Sequence, residues 1–103
     1  MDHEVIQYSP LIFLLEFLSC FMYHFYILFS RTLNRYYIGS TEHIERRVIE
    51  HNYNHKGFTG KVNDWKLIYS EIHATKSEAY ARERQVKKWK SRTALEKLIV
   101  ASD

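Results

Sequence analysis

A single cysteine, Cys20, occurs in the chain, so no internal disulfide can staple it, and its thiol chemistry fits a reducing, cytoplasmic setting. With one proline and three glycines there is no linker-like or low-complexity stretch, and no internal repeat is visible, which points away from an array of modules. Positive charge is missing from residues 1–21, whose charged members are Asp2, Glu4 and Glu16; a secretory signal begins with the opposite sign. A long apolar run is missing too, because the stretch from Leu11 to Phe21 is interrupted by Glu16 and falls short of the about 20 residues that cross a bilayer. Extending it through Phe29 reaches spanning length only by taking a segment that the domain needs as a strand. Residues 1–21 are therefore expected to be a hydrophobic N-terminal extension, either a short helix on the domain or sequence upstream of a natural start at Met22. Residues 22–103 form the domain, and no membrane partner is expected.

What is present is a globular composition, with 46% hydrophobic, 16% aromatic and 26% charged residues in 103, enough for one core. Because all three charges of residues 1–21 are acidic, residues 22–103 hold fifteen Lys and Arg against nine Asp and Glu, a net of +6. That excess fits a polyanionic partner such as nucleic acid.

From Met22 the pattern is regular. Tyr23 to Phe29 is aromatic and branched, SRTLN has turn composition, and Arg35 to Ile38 is again strand-like, so a β-hairpin is predicted. Gly39 breaks the run, Ser40 or Thr41 can cap a helix reaching His51, and a polar loop follows from Asn52 to Asp64. Trp65 to His73 alternates Trp65, Leu67 and Tyr69 with Ile68 and Ile72, which predicts a third strand buried on both faces. Thr75 with Glu78 makes a capping box for a helix to about Trp89, and Ser91 or Thr93, the latter repeating the box with Glu96, can cap a last one. The fold class is α+β, a small three-stranded antiparallel sheet flanked by helices in the order β-β-α-β-α-α.

Two helices carry chemistry on their inner faces. On the first, the helical period sets Arg47 and His51 beside Ile44 and Val48, while Arg46 and Glu50 point away. Taken alone, such an arginine snorkels to solvent and such a histidine caps a helix end. On the penultimate helix Glu83 falls in the stripe of Ala79, Val86 and Trp89, where a carboxylate needs either a cationic neighbour or a divalent ion. Arg84, Lys87, Lys88 and Lys90 occupy the opposite face, and Lys56 and Lys61 the polar loop; all six suit phosphate contacts, although a solvated basic face is the plainer alternative. His51 and His55 have HxxxH spacing, but no further Cys or His is placed to complete a zinc site.

Taken together, FYI at 25–27, YIG at 37–39, Arg47, His51 four residues later, and Glu83 within AYARERQVK resemble the GIY-YIG nuclease family, over about residues 22–98. The chain is most similar to the short stand-alone, excision-repair-nuclease-like members. It departs from them in reading His24-Phe25-Tyr26 at the first motif and in carrying Ser40 where some repair nucleases have a lysine. A late asparagine of larger members has no counterpart.

The resemblance implies a DNA endonuclease that hydrolyses phosphodiester bonds with one Mg²⁺ or Mn²⁺ at Glu83, Arg47 stabilising the transition state and Tyr26 or Tyr37 activating water, with His51 relaying a proton or binding phosphate. A tyrosine base needs neighbouring positive charge, because at an ordinary pKa of about 10 only about one phenol in a thousand is ionised at neutral pH. Structure-selective or weakly sequence-specific cutting of DNA is expected, in repair, with a protein partner or a homodimer supplying target choice. The competing expectation is a nucleic-acid-binding module of the same fold with little or no turnover.

Overall fold

The computed structural model describes residues 22–53 and 55–102. Their elements run β1 (Tyr23–Ser30), β2 (Arg35–Thr41), α1 (Ile44–His51), a short 3₁₀ turn (Phe58–Lys61), β3 (Trp65–His73), α2 (Lys76–Trp89) and α3 (Arg92–Ala101). This is the α+β order predicted from the sequence. The expectations for residues 1–21 lie outside the described residues, and among those described no helix is long and apolar enough to cross a membrane.

Both strand pairings are antiparallel and β1 is central, giving the sheet order β2-β1-β3. The centre of the sheet is therefore YHFYILFS, and its alternation feeds two cores. Phe25 and Ile27 face Val86 of α2 and Leu95 of α3, whereas Tyr26 and Leu28 face Trp65, Ile44 and Val48. The hairpin turn places Asn34 in the left-handed region (φ 54°), which asparagine tolerates, and Arg92 holds it through its carbonyl at 2.9 Å and its side-chain oxygen at 2.8 Å. Asp64 ties the start of that turn to the far end of the polar loop, accepting from Ser30 Oγ at 2.6 Å and from Thr32 N at 2.9 Å.

Two local expectations are corrected. β3 is an edge strand and is not buried on both faces: Leu67 and Ile72 are 42% and 63% exposed. Alternation is also interrupted by a register shift between Ile27 and Leu28, which pair with Tyr69 and Leu67 and leave Ile68 unopposed. An extra residue in one strand breaks strict alternation, so Ile68 and Tyr69 both pack on the α2–α3 side while Trp65 stays on the other. The helix expected from Thr41 begins at Ile44 instead, because β2 runs through Thr41 in register with His24, and the Thr41 hydroxyl accepts from His43 N at 3.2 Å outside the helix.

Candidate active site

The strand register builds the first half of the site. Tyr26 stands opposite Gly39, and its ring lies so close to that backbone that a Cβ on Gly39 would sit 2.6 Å from the phenolic oxygen. Gly39 has no positive φ, so the position requires glycine for space and not for conformation. Two residue pairs along, and so on the same face, Tyr37 opposes Leu28 and leans toward the same place, its ring 6.3 Å from that of Tyr26 and 4.5 Å from that of His51.

α1 supplies the second half. His51 is 3% exposed, and both its nitrogens are engaged, Nε2 with Tyr26 Oη at 2.8 Å and Nδ1 with Thr59 Oγ1 at 2.8 Å. Burial, reinforced by the positive charge of Arg47, lowers its pKa to about 4, so the ring is neutral at physiological pH. Tyr26 is 1% exposed, and burial pushes its phenol well above the ordinary range, while Arg47 pulls in the opposite direction and the Tyr37 and Glu83 charges oppose ionisation. The fields of Arg47 and Glu83 thus both reach Tyr26. Arg47 itself is only partly inward: its side chain is 44% exposed and its Nη1 donates to Glu50 Oε1 at 2.9 Å. Glu50, expected to point away from the site, turns back through that bond.

Tyr37, Arg47, Glu50, His51, Tyr53 and Phe58 share the wall of an open cavity of about 580 Å³. Tyr26 is packed behind this wall and does not line it. The two tyrosines are therefore inequivalent: Tyr37 meets solvent and Tyr26 does not.

Glu83 approaches from α2. Ser40, the residue after Gly39 in β2, donates to its Oε1 at 2.7 Å, so the position where some family members carry lysine here holds the carboxylate with a neutral hydroxyl. Lys87, one helical turn on, pairs with Oε2 at 2.7 Å, and its side chain is 51% exposed against 13% for Glu83. The pair is an intrahelical one with an outward-facing lysine, not a sealed internal bridge, and each carboxylate oxygen keeps a further lone pair. One shielded hard oxygen donor beside an outward-facing lysine fits a divalent ion that retains most of its water. No group of three or more His, Cys, Asp or Glu gathers to cage a metal among the described residues, and the HxxxH pair is occupied by a shared Thr59 hydroxyl.

The basic residues divide. Lys87 sides with Glu83 instead of the opposite face. Arg84 lies over the Tyr80 ring at 4.9 Å, Lys88 and Lys90 are exposed beyond it, and in the loop Lys56 is exposed while Lys61 stands 5.9 Å from the Phe58 ring centre.

Sequence reading overlooked Thr59, Glu50 and the structural use of His55. HxxxH spacing did single out His55, but for a metal; Thr59 gave no signal beyond lying in a polar loop with two glycines.

The sequence model of the GIY-YIG catalytic domain matches residues 22–97. No match is found among curated proteins or among solved structures.

Proposed function

Because this chain belongs to the GIY-YIG nuclease family, we propose that it is a metal-dependent DNA endonuclease hydrolysing phosphodiester bonds at the cavity that Tyr37 and Arg47 line, with Glu83 on α2 as the metal-holding carboxylate. The observation that carries this reading is that Tyr37 and Arg47 share the wall of the open cavity, with the Tyr26 phenol, which feels both Arg47 and Glu83, packed behind it.

In the proposed reaction the scissile phosphate lies against Arg47, whose guanidinium stabilises the charge gathered in the pentavalent transition state. Release of Arg47 from Glu50 accompanies substrate binding, since the two are joined at the exposed surface, where an ion pair contributes little, and a phosphate matches the guanidinium fork as well as a carboxylate does. Tyr37, the solvent-facing phenol, takes a proton from water as phenolate while the water oxygen bonds to phosphorus and the bond to the leaving oxygen breaks; the leaving oxygen is protonated from solvent. Tyr26 and His51 support it from behind. Glu83 would hold Mg²⁺ or Mn²⁺, and such an ion supplies Lewis-acid charge to the phosphate. Lys56, Lys61, Arg84, Lys88 and Lys90 bind the DNA backbone, with Lys87 released from Glu83 to join them. Recognition is structure-selective or weakly sequence-specific, with a protein partner or homodimer supplying target choice, and the setting is cytoplasmic DNA repair.

The experiment is incubation of the full chain with plasmid, branched and single-stranded DNA with and without Mg²⁺ or Mn²⁺, beside Arg47→Ala and Glu83→Gln. Metal-dependent nicking by the parent is expected, with Arg47→Ala slower by about 10³-fold or more and DNA binding within a few fold of the parent. Binding by the parent without metal-dependent cleavage would make the chain a binding module and end the catalytic reading.

A further inference from the structure

The polar loop is built around one residue that the chemistry above does not use. A Cβ on Gly57 would lie 2.9 Å from His55 Cε1 and 3.0 Å from its Nδ1, and one on Gly60 would overlap the His55 carbonyl oxygen and come within 2.6 Å of its nitrogen. Neither glycine has a positive φ, so both positions are kept free of a side chain to let His55 lie where it does. The imidazole then makes two bonds: Gly57 N–H donates to Nδ1 at 3.0 Å, and Nε2 meets Thr59 Oγ1 at 2.9 Å. Thr59 is 3% exposed and is pinned by its carbonyl, which accepts from Trp65 Nε1 at 2.8 Å.

The directions of these bonds follow from one fixed donor. A backbone N–H can only donate, so Nδ1 of His55 carries a lone pair and, in the neutral ring, Nε2 carries the proton. Nε2–H therefore donates to Thr59 Oγ1. The Thr59 hydroxyl has one proton, and its partners among the described residues are the two imidazoles, so that proton goes to Nδ1 of His51. With Nδ1 an acceptor, His51 keeps its proton on Nε2 and donates it to Tyr26 Oη at 2.8 Å.

We infer that His55 and Thr59 are positioning residues that lock His51 as its Nε2–H tautomer, so that Tyr26 accepts a hydrogen bond from the interior and keeps its own proton for an acceptor on the Tyr37 side. The role depends on the proposed nuclease reading for its purpose: a phenol donating toward the cleft stabilises negative charge on the Tyr37 side. His51 is then a hydrogen-bond donor that orients Tyr26 and is not the acceptor of its proton. The tautomer itself stands or falls without any reaction.

Long-range ¹H–¹⁵N spectra of the full chain labelled at its six histidines report which ring nitrogen carries the proton. At neutral pH the expected result for His51 is a protonated Nε2 and a bare Nδ1. Thr59→Val, which keeps the shape and removes the hydroxyl, is expected to let His51 take up its Nδ1–H form, and Thr59→Ser to restore the Nε2–H form. His55→Leu, at an exposed position, gives the same release if Thr59→Val does not fold, since Thr59 is then free to accept from His51 instead. Nδ1–H on His51 in the parent, or an unchanged tautomer in the variants, overturns the inference even if the parent cuts DNA. With a cutting parent, Thr59→Val is expected to lower kcat by about tenfold with KM within about twofold, the size of one hydrogen bond used in the transition state, and Thr59→Ser to recover it. Equal kcat in Thr59→Val and parent would remove the positioning role. A parent that holds the predicted tautomer but never cleaves leaves the lock standing and defeats the nuclease reading alone.

Discussion

At the scale of single residues, all three glycines of this chain make room at the site: Gly39 for the Tyr26 ring, Gly57 for the His55 imidazole and Gly60 for the His55 backbone. Gly39→Ala is accordingly expected to displace the Tyr26 phenol from His51 and to depress cleavage by about tenfold or more, with a folded circular-dichroism spectrum. An alanine variant that cuts like the parent would show the close approach to be incidental. His51 makes a second prediction, about pH. Its pKa is about 4 in the fold and 6.5 in an ordinary histidine, so between these values the unfolded chain binds more protons than the folded one. Stability from the buried neutral ring is thus complete above the unfolded value and is lost as pH falls toward the folded one, by about 3 kcal/mol. Burial lowers His24 as well, and it contributes in the same sense. Urea unfolding at neutral pH and near pH 4 should show a steeper acid loss in the parent than in His51→Gln; equal losses would refute it.

At the scale of elements, the sequence signals and the structure agree best where the local chemistry is self-contained. α2 opens where its capping box lies, with Thr75 accepting from Glu78 N at 3.1 Å, and it closes at Lys90 in the left-handed region (φ 48°). A side chain there costs about 1 kcal/mol that glycine does not. Lys90→Gly is therefore expected to raise the melting temperature while weakening DNA binding, two effects of opposite sign that scanning calorimetry and a binding titration separate. The elements misjudged from sequence are those whose limits are set by partners. β3 alternates correctly as a string, but the shift opposite Ile27 and Leu28 turns Tyr69 to the other side of the sheet, and nothing within WKLIYSEIH marks the break. The first helix was expected from Thr41 because Ser40 and Thr41 are good caps; pairing with β1 instead draws both into β2, and Ser40 is spent on Glu83.

At the scale of the whole molecule, the charge suits a polyanion: the net +6 of residues 22–103 includes exposed Lys88 and Lys90 at the end of α2 and exposed Lys56 and Lys61 in the polar loop. Lys88→Ala is expected to lower DNA affinity uniformly across sequences and to reduce the slope of log affinity against log salt by about one. The same turnover at saturating DNA would mark it as a binding residue, while an unchanged slope would mean that this lysine meets no phosphate.

The sequence by itself determined the order of elements, the strand character of Tyr23 to Phe29, and the presence of Tyr37, Arg47, His51 and Glu83 at family spacing. These are local properties, fixed by periodicity, capping and motif. What only tertiary structure decided is which groups face each other: that Tyr26 is sealed behind the cavity while Tyr37 opens into it, that Lys87 and Ser40 hold Glu83, and that Thr59 joins two histidines. Such relations depend on strand register and on a loop folding back over a helix end, and a hydrogen bond acquires its direction only when every partner along the line is in place.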